Sequence, residues 1–294
     1  MSLVSVIIPV FNERGTLGQT VRAVRDALQS REHEVVVVND GSTDAPHAKY
    51  EGIGDVTLRH KENRGYGAAL LSGFRAARGE TLVIIDADGT YPADAIPVLL
   101  AALEDGADMA VGRRKAIPGE PGALTPRKIL RAGAKCVLRM LANYLSGCKI
   151  PDLNSGLRAF RKADAMRFAH LLPSGFSLTT TITLAYLCNG LCIEYVPIEY
   201  ADRPKDQPAK FRPVGDTWQL LLTILRTILF FNPLKVCLPV ALCSWAVSLL
   251  ALLFSWIFTD QIMDGTVSVF AIFGVQMLIL GLLAEVIIKT PPKI

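Results

Sequence analysis

The stretch Leu82-Val83-Ile84-Ile85-Asp86-Ala87-Asp88-Gly89-Thr90-Tyr91-Pro92 decides how this chain folds. Four uncharged, β-prone residues predict a strand buried on both faces, and the burst of Asp, Gly and Pro that follows predicts an abrupt turn. Three upstream runs repeat the pattern. Residues 4–8 end in Pro9-Val10-Phe11-Asn12-Glu13, and residues 35–38 end in Asn39-Asp40-Gly41-Ser42-Thr43-Asp44. Residues 56–58 are followed by Asn63-Arg64-Gly65-Tyr66-Gly67. Helical patterns fill the intervals, at residues 16–29, after Thr43, and at residues 66–77. This alternation predicts an α/β fold with a mostly parallel sheet flanked by helices, and such sheets bind ligands outside the carboxyl ends of their strands. Each ending has a plain reading by itself: Gly41 as a turn, Asp44 as a helix cap, Gly65 and Gly67 as packing. Four on successive strands point to a site.

Asp86 and Asp88 close a buried strand where the chain turns, so their carboxylates can converge on a hard divalent cation. Such a cation bridges a diphosphate and neutralises charge as the diphosphate leaves. One capping and one solvated aspartate is the competing reading.

The chain has 294 residues, 51% hydrophobic and 20% charged, with a formal net charge of +4. This composition argues against disorder, and the charge does not suggest a nucleic-acid partner. Six cysteines (136, 148, 188, 192, 237, 243) form no CxxC pair, so reduced, apolar cysteines are expected. No basic segment precedes the first strand, so no signal peptide is expected. Apolar residues concentrate after Trp218. Residues 236–258 and 267–288 predict two transmembrane helices joined by a short polar turn. A buried helical hairpin of a soluble domain is the alternative. Lys235, Lys289 and Lys293 flank the spans while Asp260 and Asp264 mark the turn, so both termini are expected in the cytosol. Residues 216–231 place Asp216, Gln219, Thr223 and Arg226 on one polar stripe, which predicts an interfacial helix ending at Asn232-Pro233, with a core helix of the globular domain as the alternative. The expected organisation is therefore 1–215 globular, 216–233 interfacial and 234–294 membrane hairpin.

A second helix is expected to start at Thr125-Pro126. Arg127, Arg131, Lys135 and Arg139 recur every four residues on it; a solvated face is the plain reading of such a stripe, but on an otherwise apolar helix it suits an anionic membrane surface.

The segments VSVIIPVFNE (4–13), VVVVNDGSTD (35–44), NRGYGAAL (63–70) and DADGTYP (86–92) resemble the family 2 glycosyltransferases of GT-A fold. DLNSGLRAFRK (152–162) and the two-span C-terminus resemble the polyprenyl-phosphate branch, typified by dolichyl-phosphate mannose synthase. The resemblance implies inverting transfer of a sugar from a UDP- or GDP-linked donor to undecaprenyl or dolichyl phosphate at the cytoplasmic face of a membrane. It places Pro9, Phe11, Glu13, Asn39, Asp40, Arg64, Gly65, Asp86, Ala87 and Asp88 around the nucleotide-sugar. It implies Mg²⁺ or Mn²⁺ on Asp86 and Asp88, with Thr90 standing where mannose synthases commonly show Gln, a further ligand. Arg113, Arg127, Arg131 and Ser155 fall on the acceptor phosphate. Asp152 lies at the reacting centre, as base or orienting group, with a turn cap as the plain reading. Arg203 and Lys210 belong to a lid, in a Pro-rich basic loop that could otherwise be a membrane-facing patch. Pairing of protomers through the hairpin is a further expectation. Two other readings stay open: a processive polysaccharide synthase, although Gln-x-x-Arg-Trp is missing after Trp218, and a non-catalytic membrane adaptor that binds a nucleotide.

Overall fold

Strand β1 (Val4–Val10) is buried along its whole length, and β2 (His33–Asn39) from its second residue onward. Strands this apolar belong inside a sheet covered on both faces. The computed structural model describes residues 3–115, 140, 142–144, 147–175, 177–201, 222, 226, 229–258 and 264–289. It separates into two units, Met1–Ile224 and Leu225–Ile294.

In the first unit, β1 and β2 join β3 (Val56–Arg59), β4 (Thr81–Ile84), β5 (Met109–Arg114), β6 (Arg158–Arg161) and β7 (Ile193–Ile198) in one sheet. Its order is β3-β2-β1-β4-β6-β5-β7. β1 pairs in parallel with β2 and β4, β2 with β3, and β5 with β7. β6 runs antiparallel between β4 and β5, with Arg158 opposite Ile84. The mostly parallel, helix-flanked class is therefore observed, with one reversed strand that the sequence does not announce. Arg158-Ala159-Phe160-Arg161 is short and carries a charge at each end, so it shows no strand pattern.

Helices α1 (Arg14–Ala27) and α3 (Ile96–Glu104) cover one face, where Leu17, Val21, Val24, Ile96 and Leu99 pack with Val6, Ile8, Val35 and Val83. Burying each such side chain contributes about 1.5–3 kcal/mol. Helix α2 (Tyr66–Ala76) covers the other face. A Cβ at its Gly73 would fall 2.5 Å from Ile7 Cγ2, so glycine permits the close approach. Helices α4 (Lys162–Arg167) and α5 (Leu178–Cys188) extend this layer. Edge-to-face rings link it, Phe74 with Phe160 at 5.6 Å and Phe160 with Tyr186 at 6.5 Å.

The helix expected after Thr43 is reduced to a 3₁₀ turn at His47–Lys49. Pro46 is extended, with ψ 143°, and Gly52 adopts φ 70°, so the segment cannot wind further. Buried Tyr50 fills the space instead, its hydroxyl donating to Asp44.

In the second unit, α6 (Leu234–Phe258) and α7 (Asp264–Lys289) form a hairpin. Both are long and apolar enough to cross a membrane, with mean hydropathy 2.3 and 2.4. Ser244 Oγ donates to Phe270 O (2.6 Å), Ser248 Oγ to Val267 O (2.8 Å) and Trp245 Nε1 to Ala271 O (3.2 Å). A Cβ at Gly274 would fall 2.5 Å from Trp245 Cδ1, and one at Gly281 2.7 Å from Cys237 Cβ. Small residues thus set the close approach, as packing between apolar helices requires. Of the expected interfacial helix, residues 222, 226 and 229–231 are described and are helical; the others lie outside the described residues.

At the amino edge of the sheet, Glu34 is 1% exposed. It accepts from Ser5 Oγ (2.6 Å), Arg78 N (2.6 Å) and Arg78 Nε (2.8 Å), and Gly79 N donates to Ser5 Oγ (2.8 Å). Burial alone would raise the carboxyl pKa; these donors outweigh it and hold it below the ordinary value. Glu34→Ala leaves two inward donors without an acceptor and should cost about 2–3 kcal/mol. A lower thermal midpoint of the full chain in detergent, with unchanged nucleotide affinity, is the expected result.

Candidate active site

Strand order reverses about β1: β2 and β3 lie to one side, β4 and its neighbours to the other. The crevice outside the carboxyl ends of β1 and β4 is the switch point where such sheets bind ligands. Phe11-Asn12-Glu13 leaves β1 there, and Asp86-Ala87-Asp88 leaves β4.

The β1 and β2 loops are laced together. Asn12 adopts φ 58°, a conformation asparagine tolerates. Its Oδ1 accepts Thr43 N (2.7 Å), and its N–H donates to Ser42 Oγ (3.0 Å). Asn39 Oδ1 accepts Ser42 N (2.9 Å), and Asp44 Oδ2 accepts Arg14 N (3.1 Å) at the start of α1. Pro9 is buried within β1, Glu13 is 7% exposed, and Phe11 is half-buried at the crevice.

Asp40, expected beside the nucleotide, is turned inward and 3% exposed. It accepts from Arg64 N (2.9 Å), Gly65 N (2.8 Å) and His60 Nδ1 (2.6 Å). His60 Nε2 lies 2.9 Å from Ser72 Oγ. One tautomer answers both contacts, donating from Nδ1 and accepting at Nε2. Asp40 therefore shapes the Arg64-Gly65 turn. Gly65 sits at φ 97°, and a Cβ there would fall 2.6 Å from Ser174 O. The Arg64 side chain is exposed.

Both aspartates after β4 are oriented from behind. Tyr66 Oη donates to Asp86 Oδ1 (2.9 Å); burial, then the nearby carboxylate, pushes the phenol pKa well up and keeps it a donor. Asp88 is 5% exposed, and its Oδ1 accepts Thr90 N (3.1 Å) and Thr90 Oγ1 (2.6 Å). Thr90, the candidate third metal ligand, spends its hydroxyl proton on Asp88 and orients that carboxylate. The carbonyl of Ala87 accepts two hydroxyls from α1, Thr16 Oγ1 (2.7 Å) and Thr20 Oγ1 (3.2 Å). Among the described residues no three His, Cys, Asp or Glu side chains gather around one point. The donor set is thus two hard carboxylates, which fits Mg²⁺ or Mn²⁺ completed by phosphate oxygens and water.

The segment before β6 closes on this turn. A Cβ at Gly156 would fall 2.5 Å from Asp86 Oδ2, and Gly156 N donates to Tyr91 Oη (2.7 Å). Asp152 is held by Arg114 through Nε and Nη2, both at 2.8 Å. Burial opposes ionisation of Asp152, but the Arg114 hydrogen bonds and charge outweigh it and lower its pKa. Ser155, expected on the acceptor phosphate, is fully buried and donates to Gly112 O (2.6 Å). Arg113 is exposed at the end of β5. Arg127, Arg131, Lys135, Arg139, Arg203 and Lys210 lie outside the described residues. A cleft of about 540 Å³ lined by Arg78, Thr81, Arg161 and Lys162 lies at the opposite edge of the sheet, away from these carboxylates.

The glycosyl transferase family 2 model matches residues 5–167, more than half of the chain. The chain belongs to this family. The GtrB C-terminal hairpin model matches residues 232–289. The dolichol-phosphate mannosyltransferase of Pyrococcus furiosus is 33% identical over 187 residues, 62% of this chain; the chain spans about half, 52%, of that relative's length. The undecaprenyl-phosphate 4-deoxy-4-formamido-L-arabinose transferase of Proteus mirabilis is 30% identical over 302 residues, covering 97% of this chain and 88% of the relative. Among solved structures, glucosyl-3-phosphoglycerate synthase from Mycobacterium tuberculosis, in complex with Mn²⁺, UDP and glucosyl-3-phosphoglycerate, superposes with a TM-score of 0.57 at 20% identity. It covers 77% of this chain and 80% of its own. At that identity the likeness concerns the fold, which is GT-A.

The motif DLNSGLRAFRK contains Arg158, to which sequence reasoning assigns no role. Arg158 is fully buried. Its Nε donates to Ser155 O (2.9 Å), Nη1 to Thr179 O (2.9 Å) and Thr183 Oγ1 (2.8 Å), and Nη2 to Leu153 O (3.3 Å). Burial lowers its pKa from the ordinary arginine value. Arginine is mostly a surface residue, so its burial is not legible in the motif, and the reversed β6 carries it inside. Arg158→Met leaves three carbonyls without their donor and should cost about 3 kcal/mol, read as a loss of unfolding free energy of the full chain.

The lowered Asp152 pKa gives a signed pH dependence. Stability from the Asp152–Arg114 pair is complete above about pH 4 and is lost as pH falls through the lowered folded value. Asp152→Asn should lower the thermal midpoint equally at pH 8 and pH 6, and the gap to the native chain should close only below about pH 4.

Proposed function

We propose that the chain transfers a sugar from a UDP- or GDP-linked donor to a polyprenyl phosphate at the cytoplasmic face of a membrane, inverting the anomeric centre. The observation that carries this reading is the buried strand that ends in Asp86 and Asp88 at the switch point of a family 2 fold, with the Gly156 turn closing on Asp86. Two relatives support the acceptor class, since their names specify dolichol phosphate and undecaprenyl phosphate. The hairpin, with lysines at its chain ends and Asp264 at its turn, supports an anchor that keeps both termini cytosolic.

Pro9, Phe11, Glu13, Asn39, Arg64 and Ala87 would surround the nucleotide, with Asp40 acting one layer back through the amides of Arg64 and Gly65. Asp86 and Asp88 would hold Mg²⁺ or Mn²⁺, and the Mn²⁺–UDP complex of the Mycobacterium tuberculosis neighbour supports that choice. Such an ion, when bound, neutralises charge on the departing diphosphate. Arg113, with Arg127 and Arg131, would fork onto the acceptor phosphate, and Arg203 with Lys210 would close over it. A phosphate monoester is already anionic at neutral pH, so its oxygen attacks without help from a base. Asp152, engaged by Arg114, then serves to fix the turn. Alignment and charge stabilisation supply the rate.

The test is transfer from a panel of radiolabelled UDP- and GDP-sugars to undecaprenyl or dolichyl phosphate, with detergent-solubilised chain and Mn²⁺. A chloroform-soluble monosaccharide product is expected, abolished by EDTA and reduced about 10²-fold or more in Asp88→Ala. A water-soluble polymer would favour the processive synthase. Metal-dependent nucleotide binding without transfer from any donor would leave the adaptor.

A further inference from the structure

The loop from His60 to Gly65 lies over the carboxyl end of β2 and leads into α2. Residues 61–64 are exposed, so burial of their side chains does not hold it. Its backbone is seated on the turn beneath: a Cβ at Gly41, which adopts φ 70°, would fall 2.5 Å from Glu62 C. Both ends of the loop are gathered at the end of β2. His60 N donates to Asn39 O (2.9 Å) at one end, and Arg64 N and Gly65 N donate to the Asp40 carboxylate at the other.

The His60 side chain closes this loop from inside. It is buried, and its Nδ1 contacts Asp40 Oδ1, the oxygen that also accepts Arg64 N. Its Nε2 meets Ser72 Oγ in the second turn of α2. A carboxylate only accepts, so in the neutral ring Nδ1 carries the proton and Nε2 accepts from Ser72. Ser72 thereby holds the ring in the tautomer whose proton faces Asp40. Helix α2 is thus fixed at two points about 10 Å apart along its axis, at Gly65 by the carboxylate and at Ser72 by the imidazole. The residue after Gly65 is Tyr66, whose hydroxyl supports Asp86.

We propose that His60 is a positioning residue for the nucleotide half of the site, acting through Asp40 on the Arg64-Gly65 turn. A hydrogen bond to a buried carboxylate is among the strong ones, and this one sets the rotation of Asp40 that aims both oxygens at the loop amides. Without it the carboxylate is free to turn, and the loop loses the tie at its inner side. Ordering the Arg64-Gly65 turn would then be charged to nucleotide binding, which lowers affinity. The inference rests on the reading that places Arg64 and Gly65 around the nucleotide. It adds a residue that touches no ligand yet sets how tightly one is held.

Calorimetric titration of the detergent-solubilised full chain with UDP and with GDP, each with Mn²⁺, reads affinity and stoichiometry together. The nucleotide that the native chain binds is then carried to the variants. His60→Leu should weaken it roughly 5- to 30-fold at unchanged stoichiometry. His60→Asn, which brings an amide donor close to the Nδ1 position, should stay within about 3-fold of the native chain. His60→Gln, whose amide reaches the Nε2 position instead, should behave like His60→Leu. A role in stability alone would lower the number of competent sites and leave the affinity of the rest unaltered. Native affinity in His60→Leu, or equal weakening in His60→Asn and His60→Gln, overturns the inference; should His60→Leu fail to fold, the Asn and Gln pair decides. A native chain that binds neither nucleotide removes the donor reading and this inference with it, whereas native binding that His60→Leu leaves intact removes the inference alone.

Discussion

A buried guanidinium must have its N–H groups answered by the protein, and Arg158 imposes that demand on the β6 side of the crevice. It gathers the carbonyls of Leu153, Ser155 and Thr179 around one group. Once the turn before β6 is fixed so, its other residues fall into place: Asn154 accepts from Thr180 Oγ1 (2.7 Å), Ser155 reaches Gly112, and Gly156 lies against Asp86. The acceptors in direct contact are neutral, so no carboxylate cancels the charge there. Arg158 pairs with Ile84, two residues before Asp86, so the strand that carries it adjoins the strand that ends in the two carboxylates.

Most of the fold was legible in the sequence where local pattern and tertiary outcome agree. The uncharged runs at β1, β2 and β4 could only be interior strands, and two long apolar segments could only be a hairpin or a membrane pair. The place of Asp86 and Asp88 at a strand end was legible because an uncharged run broken by Asp, Gly and Pro marks a buried strand followed by a turn. The region after Thr43 misled because helix and turn share the same polar residues, and Pro46 with Gly52 decided between them. Strands β5 to β7 were silent. Arg158-Ala159-Phe160-Arg161 earns its place through pairing on both sides, which no short window of sequence contains.

Side-chain direction at strand ends was the least legible feature. Asp40 and Ser155 both sit in polar motifs at the carboxyl edge, where a ligand-facing role is the natural reading. Both face inward, because His60 and the Arg64-Gly65 amides claim the one and the Gly112 carbonyl claims the other. Those partners lie 20 to 43 residues away in sequence. Composition reveals that a polar residue is present at an edge; only the tertiary neighbours determine whether it meets the ligand or supports what does.

The double hydroxyl clamp on the Ala87 carbonyl has a thermodynamic consequence. Thr16 and Thr20 anchor the midpoint of the aspartate turn to a four-turn helix, so its backbone entropy is surrendered when the chain folds rather than when a ligand binds. Capture of the proposed donor would then draw on a preorganised surface, and more of the intrinsic interaction free energy would remain available as affinity. A turn built in this way behaves as a rigid template, on which binding would track the chemistry of the ligand more closely than the pliability of the protein.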